Sequence, residues 1–232
     1  MGRRPVGSPP ERVFDPAIMA AVSVVMQPSL FDVEAEAGEP ALRSLSTCAR
    51  IDLGRGAWVE VRPRWVVSAD EVFGAVEGGV SWQAERRRMY DRFVDVPRLT
   101  AFFGRGATLP HPILRTALTM LSTHHADELG EPFTTVGCCL YRDGRDSVAW
   151  HGDTIGRART EDTMVAIVSL GADRRLALRP RGGGASVGFV LGHGDLLVMG
   201  GTCQRTWEHA VPKTARPCGA RISLQLRPRG VR

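Results

Sequence analysis

The rhythm of apolar positions changes once along the chain. Leu114, Ala117, Leu118, Leu121 and His125 recur at intervals of three and four, so they share one face of a helix; Pro112 opens the segment and Gly130 closes it, which predicts a helix over 114–129. A shorter helix is predicted over 69–77, with Ser68 as N-cap and Gly78 and Gly79 as its stop. After Pro132 the apolar residues come in short runs broken by Gly and Asp, at 134–142, 164–170, 174–179, 187–191, 195–199 and 221–227. Helices first and six short strands with turns between them afterwards predict an α+β chain, a jelly roll with N-terminal helices packed against it.

Residues 1–44 are rich in Pro, Gly, Ala and acids and keep no period, which predicts a poorly ordered arm ahead of a single domain over 45–232. The apolar run from Ala17 to Met26 is about ten residues, too short to span a bilayer. Met19 and Met26 within it predict a true start further downstream. No membrane partner is expected.

Charge sharpens this picture. Of 30 basic residues all but Lys213 are arginine, and residues 133–232 hold 15 basic against 8 acidic side chains, whereas residues 1–132 hold 15 against 17. The positive surplus of the second half suits an anionic partner, either a dicarboxylate in a pocket or a phosphate backbone across a face. The five cysteines are odd in number and lack Cys-x-x-Cys spacing, so a reducing cytoplasm is the expected location. A monomer is expected.

His151 and Asp153 form a His-x-Asp step. On an extended segment, residues i and i+2 share a face, so imidazole and carboxylate converge on one point. A third ligand has to come from elsewhere, and His209 and His193 both follow at a usable distance. Two histidines and a carboxylate leave three adjacent positions of an octahedral iron open, two for a keto acid and one for O2. In 221–227 the odd positions Arg221, Ser223, Gln225 and Arg227 are polar while Ile222, Leu224 and Leu226 are apolar. One face of this strand packs in a core and the other carries two arginines that require anions. Straight strand geometry sets those arginines about 20 Å apart, so either a curled strand lets both reach one small acid or Arg227 contacts surface or nucleic acid instead. His124 and His125 have no ligand-spaced neighbour and are expected to be surface or packing residues.

Six ordered blocks resemble the AlkB family of iron(II)/2-oxoglutarate dioxygenases: 141–146 (TyrArgAspGlyArgAsp), 150–153 (TrpHisGlyAsp), 168–171 (ValSerLeuGly), 194–201 (GlyAspLeuLeuValMetGlyGly), 207–213 (TrpGluHisAlaValProLys) and 221–227 (ArgIleSerLeuGlnLeuArg). The resemblance covers about residues 80–227. It implies a double-stranded β-helix over about 133–232 and a nucleotide-recognition segment over about 80–110. It also implies Fe(II) on His151, Asp153 and His209, and 2-oxoglutarate on Tyr141 and the strand with Arg221, Ser223, Gln225 and Arg227. The implied reaction is oxidative dealkylation of N-alkylated bases in DNA or RNA, consuming O2 and 2-oxoglutarate and releasing formaldehyde, succinate and CO2. Trp82, Arg88, Tyr90, Arg98 and Ile155 are the candidate substrate contacts, with Tyr90 as a wedge that helps evict a base. Two positions depart from the family pattern: Cys139 stands where Asn is usual, and Ile155 where an acidic residue meets the base, with Asp162 and Glu161 as nearby substitutes. A hydroxylase of another substrate class, a silent nucleic-acid binder and a zinc hydrolase are the alternatives; the last leaves the arginine strand unexplained.

Overall fold

The computed structural model describes residues 38–89, 92–153 and 156–231, without the side chains of 86–95. In chain order its strands are β1 (Ala41–Leu42), β2 (Ala49–Gly54), β3 (Ala57–Arg62), β4 (Val66–Val67), β5 (Gln83–Met89), β6 (Arg92–Phe103) and β7 (Phe133–Tyr141). There follow β8 (Val148–His151), β9 (Val165–Gly171), β10 (Arg174–Pro180), β11 (Val187–Leu191), β12 (Asp195–Gly201), β13 (Trp207–Val211) and β14 (Arg221–Pro228). The helices are α1 (Ala69–Gly79), α2 (Ile113–His124), α3 (Ala126–Leu129) and α4 (Cys203–Thr206).

The strands build two main sheets and the small β1-β4 pair. The larger runs β2-β3-β12-β9-β14-β7-β6-β5 and the smaller β11-β10-β13-β8, with antiparallel pairing between neighbours. Period-two alternation gives the larger sheet two different faces. Ile222, Leu224 and Leu226 of β14 pack with Val72 and Val76 of α1 and Leu114, Ala117 and Leu121 of α2. The opposite face meets the smaller sheet, where Val59, Val165, Ile167 and Leu197 pack against Leu176, Leu178, Phe189 and Trp207. This is a jelly roll braced on one side by helices.

Strands also precede the helices, contrary to the expected order. The β2–β3 hairpin turns on Gly54, Arg55 and Gly56, all at positive φ, and β1 pairs with β4, so structure begins ahead of residue 45. Residues 1–37 of the expected arm, with Met19 and Met26, lie outside the described residues. The helix expected over 114–129 breaks at His125 (φ −103°, ψ 16°), which carries the His125 ring inward beside Trp58 and Phe133. Ser68 precedes α1 in the left-handed region and makes no cap; its hydroxyl donates to Gly38 O.

Leu224 has no exposed surface and sits where β14 meets the helices. Leu224→Ala should lower unfolding free energy by about 2–5 kcal/mol, measured as a lower urea midpoint at unchanged m-value.

Candidate metal centre and acid pocket

His209 of β13 and His151 of β8 are direct cross-strand partners, and their ring centroids lie 4.2 Å apart. β8 ends at His151, and Asp153 follows just beyond it. Ligand atoms of His151, Asp153 and His209 all lie within 4.8 Å of one another. The sequence left His193 open as a rival to His209. Its Nδ1 instead accepts from Gly171 N at 2.8 Å and its Nε2 faces Asp70 at 3.3 Å, so it takes no part in this cluster.

Each member is held by its neighbours. His151 Nδ1 is 2.8 Å from Ala149 O, a carbonyl that can only accept, so Nδ1 carries a proton and Nε2 is the nitrogen that could hold a metal. The Asp153 amide donates to Gln204 Oε1, and Arg227 donates to Asp153 Oδ2 from Nε (3.1 Å) and Nη2 (3.0 Å), leaving Oδ1 available. Burial pushes the Asp153 carboxyl up, but the adjacent Arg227 charge, with the neighbouring histidines, outweighs it and the pKa is lowered. Burial, aided by His151, drives His209 down to about 3, so its imidazole is neutral with a lone pair to give. The set thus joins a neutral His209 imidazole to an ionised carboxylate, with His151 beside them.

Farther along β14, Arg221 is almost fully buried between Tyr141 on β7 and Gly171 on β9. Its Nε donates to Ser169 Oγ at 2.9 Å, while Nη1 is buried with no hydrogen-bond partner. The guanidinium carbon lies 5.4 Å from the centre of the buried Tyr141 ring. Arg98 Nε is a second buried donor without a partner; Leu99 pairs with Leu140, so Arg98 lies beside Tyr141, and its charge acts on the Tyr141 hydroxyl. Burial raises the Tyr141 pKa, so the phenol keeps its proton. A buried guanidinium with an open N–H is the feature a carboxylate would complete, and with the His/Asp/His set the donors present fit both an iron ion and a keto acid.

The middle of β14 is occupied differently. Gln225 Nε2 donates to Ser223 O (3.0 Å) and Ser223 Oγ (2.8 Å), and Cys139 Sγ lies 3.8 Å from Gln225 Oε1. Gly137 is where Arg227 crosses β7: a Cβ there would come within 2.8 Å of Arg227 Nη1. Arg227 is therefore neither a surface residue nor unpaired.

Three residues that the sequence did not single out complete the frame. Gln204 and Ser169 orient Asp153 and Arg221. Buried Arg174 donates to Asp143 O, Asp146 O and Pro212 O, tying the loop before β8 to the segment after β13, the two strands that present the histidines. Buried polar residues facing inward are their signal, and it needs the fold to be seen.

The substrate candidates divide. Trp82 packs against the helix-side core and donates from Nε1 to Glu77 O at 2.9 Å, so it closes α1 and does not face the metal ligands. Tyr90, Ile155 and the Arg88 side chain lie outside the described residues. Asp162 is paired with Arg205 and Glu161 with Arg157. Among the described residues no helix is long and apolar enough to cross a membrane, and all five cysteines are free thiols.

Residues 105–227 match the model of the 2OG-Fe(II) oxygenase superfamily. The chain is 33% identical over 178 residues to the alpha-ketoglutarate-dependent dioxygenase alkB homolog 3 of Bos taurus, covering 68% of this chain and 61% of that protein. It thus spans about three fifths of the length of that relative. It is 28% identical over 179 residues to the human DNA oxidative demethylase ALKBH2, covering 68% of each. The solved structure of OsALKBH1 superposes with TM-score 0.54 at 14% identity, covering 76% of this chain and 100% of that one, a likeness of fold.

The pairing of Arg227 with Asp153 sets a pH dependence. The folded pKa of Asp153 is depressed, so the pair stabilises at neutral pH, and this contribution is lost as pH falls below about 4 through the folded pKa. In metal-free protein Arg227→Met should cost about 3–5 kcal/mol at pH 7, and the gap to wild type should narrow below about pH 4. Urea unfolding at both pH values checks this; a pH-independent gap would point to lost packing alone.

Proposed function

The chain belongs to the 2OG-Fe(II) oxygenase superfamily, and from that premise we propose that it is an Fe(II)- and 2-oxoglutarate-dependent dioxygenase of the AlkB kind that removes alkyl groups from base nitrogens of DNA or RNA. One observation carries the reading: a single strand, β14, holds the buried, incompletely satisfied Arg221 at one end and touches the metal-set carboxylate through Arg227 at the other.

When bound, Fe(II) and 2-oxoglutarate supply O2 activation and the oxidising equivalents. The residues of this chain do the positioning. His151, Asp153 and His209 hold the ion on neighbouring strands of the smaller sheet and its rim. Arg221, oriented by Ser169, gives Nη1 to a carboxylate of the acid; Arg98 and the protonated Tyr141 hydroxyl line the same pocket. Arg227 keeps Asp153 ionised and fixes which oxygen faces the ion.

A methyl group hydroxylated on a base nitrogen leaves as formaldehyde, with the electron pair returning to nitrogen. The target must therefore reach the open side of the metal ligands. The β5–β6 hairpin forms one edge of the larger sheet and carries Arg86, Arg87 and Arg88 in its sequence. This hairpin is the proposed contact for the phosphate backbone, and a salt-sensitive affinity is its signature. The names of the relatives, one of them a DNA oxidative demethylase, support this substrate class.

Formaldehyde release should be measured on oligonucleotides carrying 1-methyladenine or 3-methylcytosine, with Fe(II), 2-oxoglutarate and O2. The wild type should release it and His151→Ala should not rise above background. Succinate without formaldehyde would keep the cofactor assignment and sink the base-repair assignment. Arg221→Met should raise the KM for 2-oxoglutarate by on the order of 100-fold, as expected when a buried charge pair worth about 3 kcal/mol is lost; an unchanged KM would remove Arg221 from the acid pocket.

A further inference from the structure

A second cluster of two histidines and a carboxylate lies on the other face of the larger sheet. Ligand atoms of Glu60, His124 and His125 all fall within 4.8 Å of one another. We propose that these three residues form a second metal site, for a divalent transition-metal ion of the zinc type, that clamps the end of α2 to β3.

The site is built, with two of its three ligands deep in the protein. Glu60 and His125 are 5% and 2% exposed. Glu60 Oε1 is held by Arg50 Nε at 2.7 Å, which turns Oε2 toward the histidines. Glu60 Oε2 and His125 Nε2 are 3.6 Å apart, both buried, and neither has a hydrogen-bond partner. That separation is too long for a hydrogen bond. It is close to the ligand-to-ligand spacing around a tetrahedral ion with bonds of about 2.0–2.1 Å. An ion between them would satisfy two atoms that are costly to leave open.

The surroundings have the features of a metal site's outer ring. His125 Nδ1 faces Glu128 Oε2 at 3.9 Å, placing a carboxylate behind the imidazole on the side away from the proposed ion. Arg50 also binds both Glu128 oxygens at 2.7 Å, so it fixes both glutamates. Trp58 stacks beside the His125 ring at 6.0 Å and Phe133 lies at 6.4 Å, giving an apolar wall. His124 is exposed at the rim with its ring 4.7 Å from that of His125, leaving the fourth position to water. Two carboxylates against one guanidinium leave a negative charge that a dication reverses.

The site is independent of the iron ligands. Val59 and Val61 point into the inner core, so Glu60 between them points to the opposite face, and the sheet stands between the two clusters. Nothing in the spacing of His124 and His125 could reveal it, because Glu60 comes from a strand far earlier in the chain.

The test uses zinc alone as probe. The double variant His151→Ala/His209→Ala disables the iron ligands; after stripping and reloading, it should retain one zinc per chain by metal analysis and calorimetry. Adding His124→Ala, an exposed position that does not threaten folding, should weaken zinc binding by at least about 10-fold. As a check that needs no change at the iron ligands, Co2+ uptake by the otherwise wild-type chain should fall from two equivalents to one on His124→Ala. No zinc retained by the double variant, or binding indifferent to His124→Ala, would overturn the proposal.

Discussion

A guanidinium taken out of water has to meet an anion, and β14 takes two of them into the space between the sheets. The solutions at its ends differ. Arg227 finds its anion within the protein, in Asp153, and thereby holds the carboxylate ionised and aimed in a buried place where burial alone would favour the protonated form. Arg221 finds no carboxylate, only the Ser169 hydroxyl and the neighbouring Tyr141, and its Nη1 stays without a partner. The rest of the inner face follows from these two facts. Gly137 has no side chain because Arg227 lies across it, Ser169 is small and polar because Arg221 needs orientation, and Tyr141 lies within reach of the Arg221 charge.

This constraint also explains which parts of the molecule were legible in sequence. β14 announced itself because its two faces have opposite chemistry, and Ile222, Leu224 and Leu226 do enter the helix-side core. The strands at 165–171, 174–180, 187–191 and 195–201 were visible as apolar runs because both of their faces are largely covered. β5 was not visible, since Gln83–Met89 is polar almost throughout and sits at the sheet edge, where no second neighbour demands apolar residues. β2 was missed for a related reason, being half exposed along its length. The break at His125 could not be read from periodicity, because His125 keeps the helical spacing of its predecessors and leaves the helix for a tertiary reason, the pocket beside Trp58.

The candidate site divides along the same line. His151 and Asp153 are neighbours in sequence, so local geometry suffices to bring them together. His209 needed the pairing of β13 with β8 to reach them, whereas the His193 ring lies against Gly171 and Asp70. Arg98 was singled out as a substrate contact but lies beside Tyr141, and Gln204 and Arg174 were beyond sequence reasoning of this kind: each acts through contacts with loops or strands distant in the chain.

Cys139, the residue that departs from the family pattern, changes what the acid pocket offers a ligand. Its sulfur rests against Gln225 Oε1, a weak contact at 3.8 Å, while the Gln225 amide nitrogen is spent on Ser223. An asparagine at this position would bring a donor and an acceptor into the pocket; a thiol brings little of either. The middle of β14 therefore closes on itself, and strong donors are left at the Arg221 end, where Arg98 adds a second open N–H beside Tyr141. In the proposed enzyme, recognition of the keto acid shifts from amide hydrogen bonds toward guanidinium charge. Such a pocket distinguishes a carboxylate from a neutral group strongly, because a neutral occupant would leave buried charge uncompensated. It distinguishes less sharply among acids of similar length, because a charged fork tolerates displacement that a fixed amide pair does not.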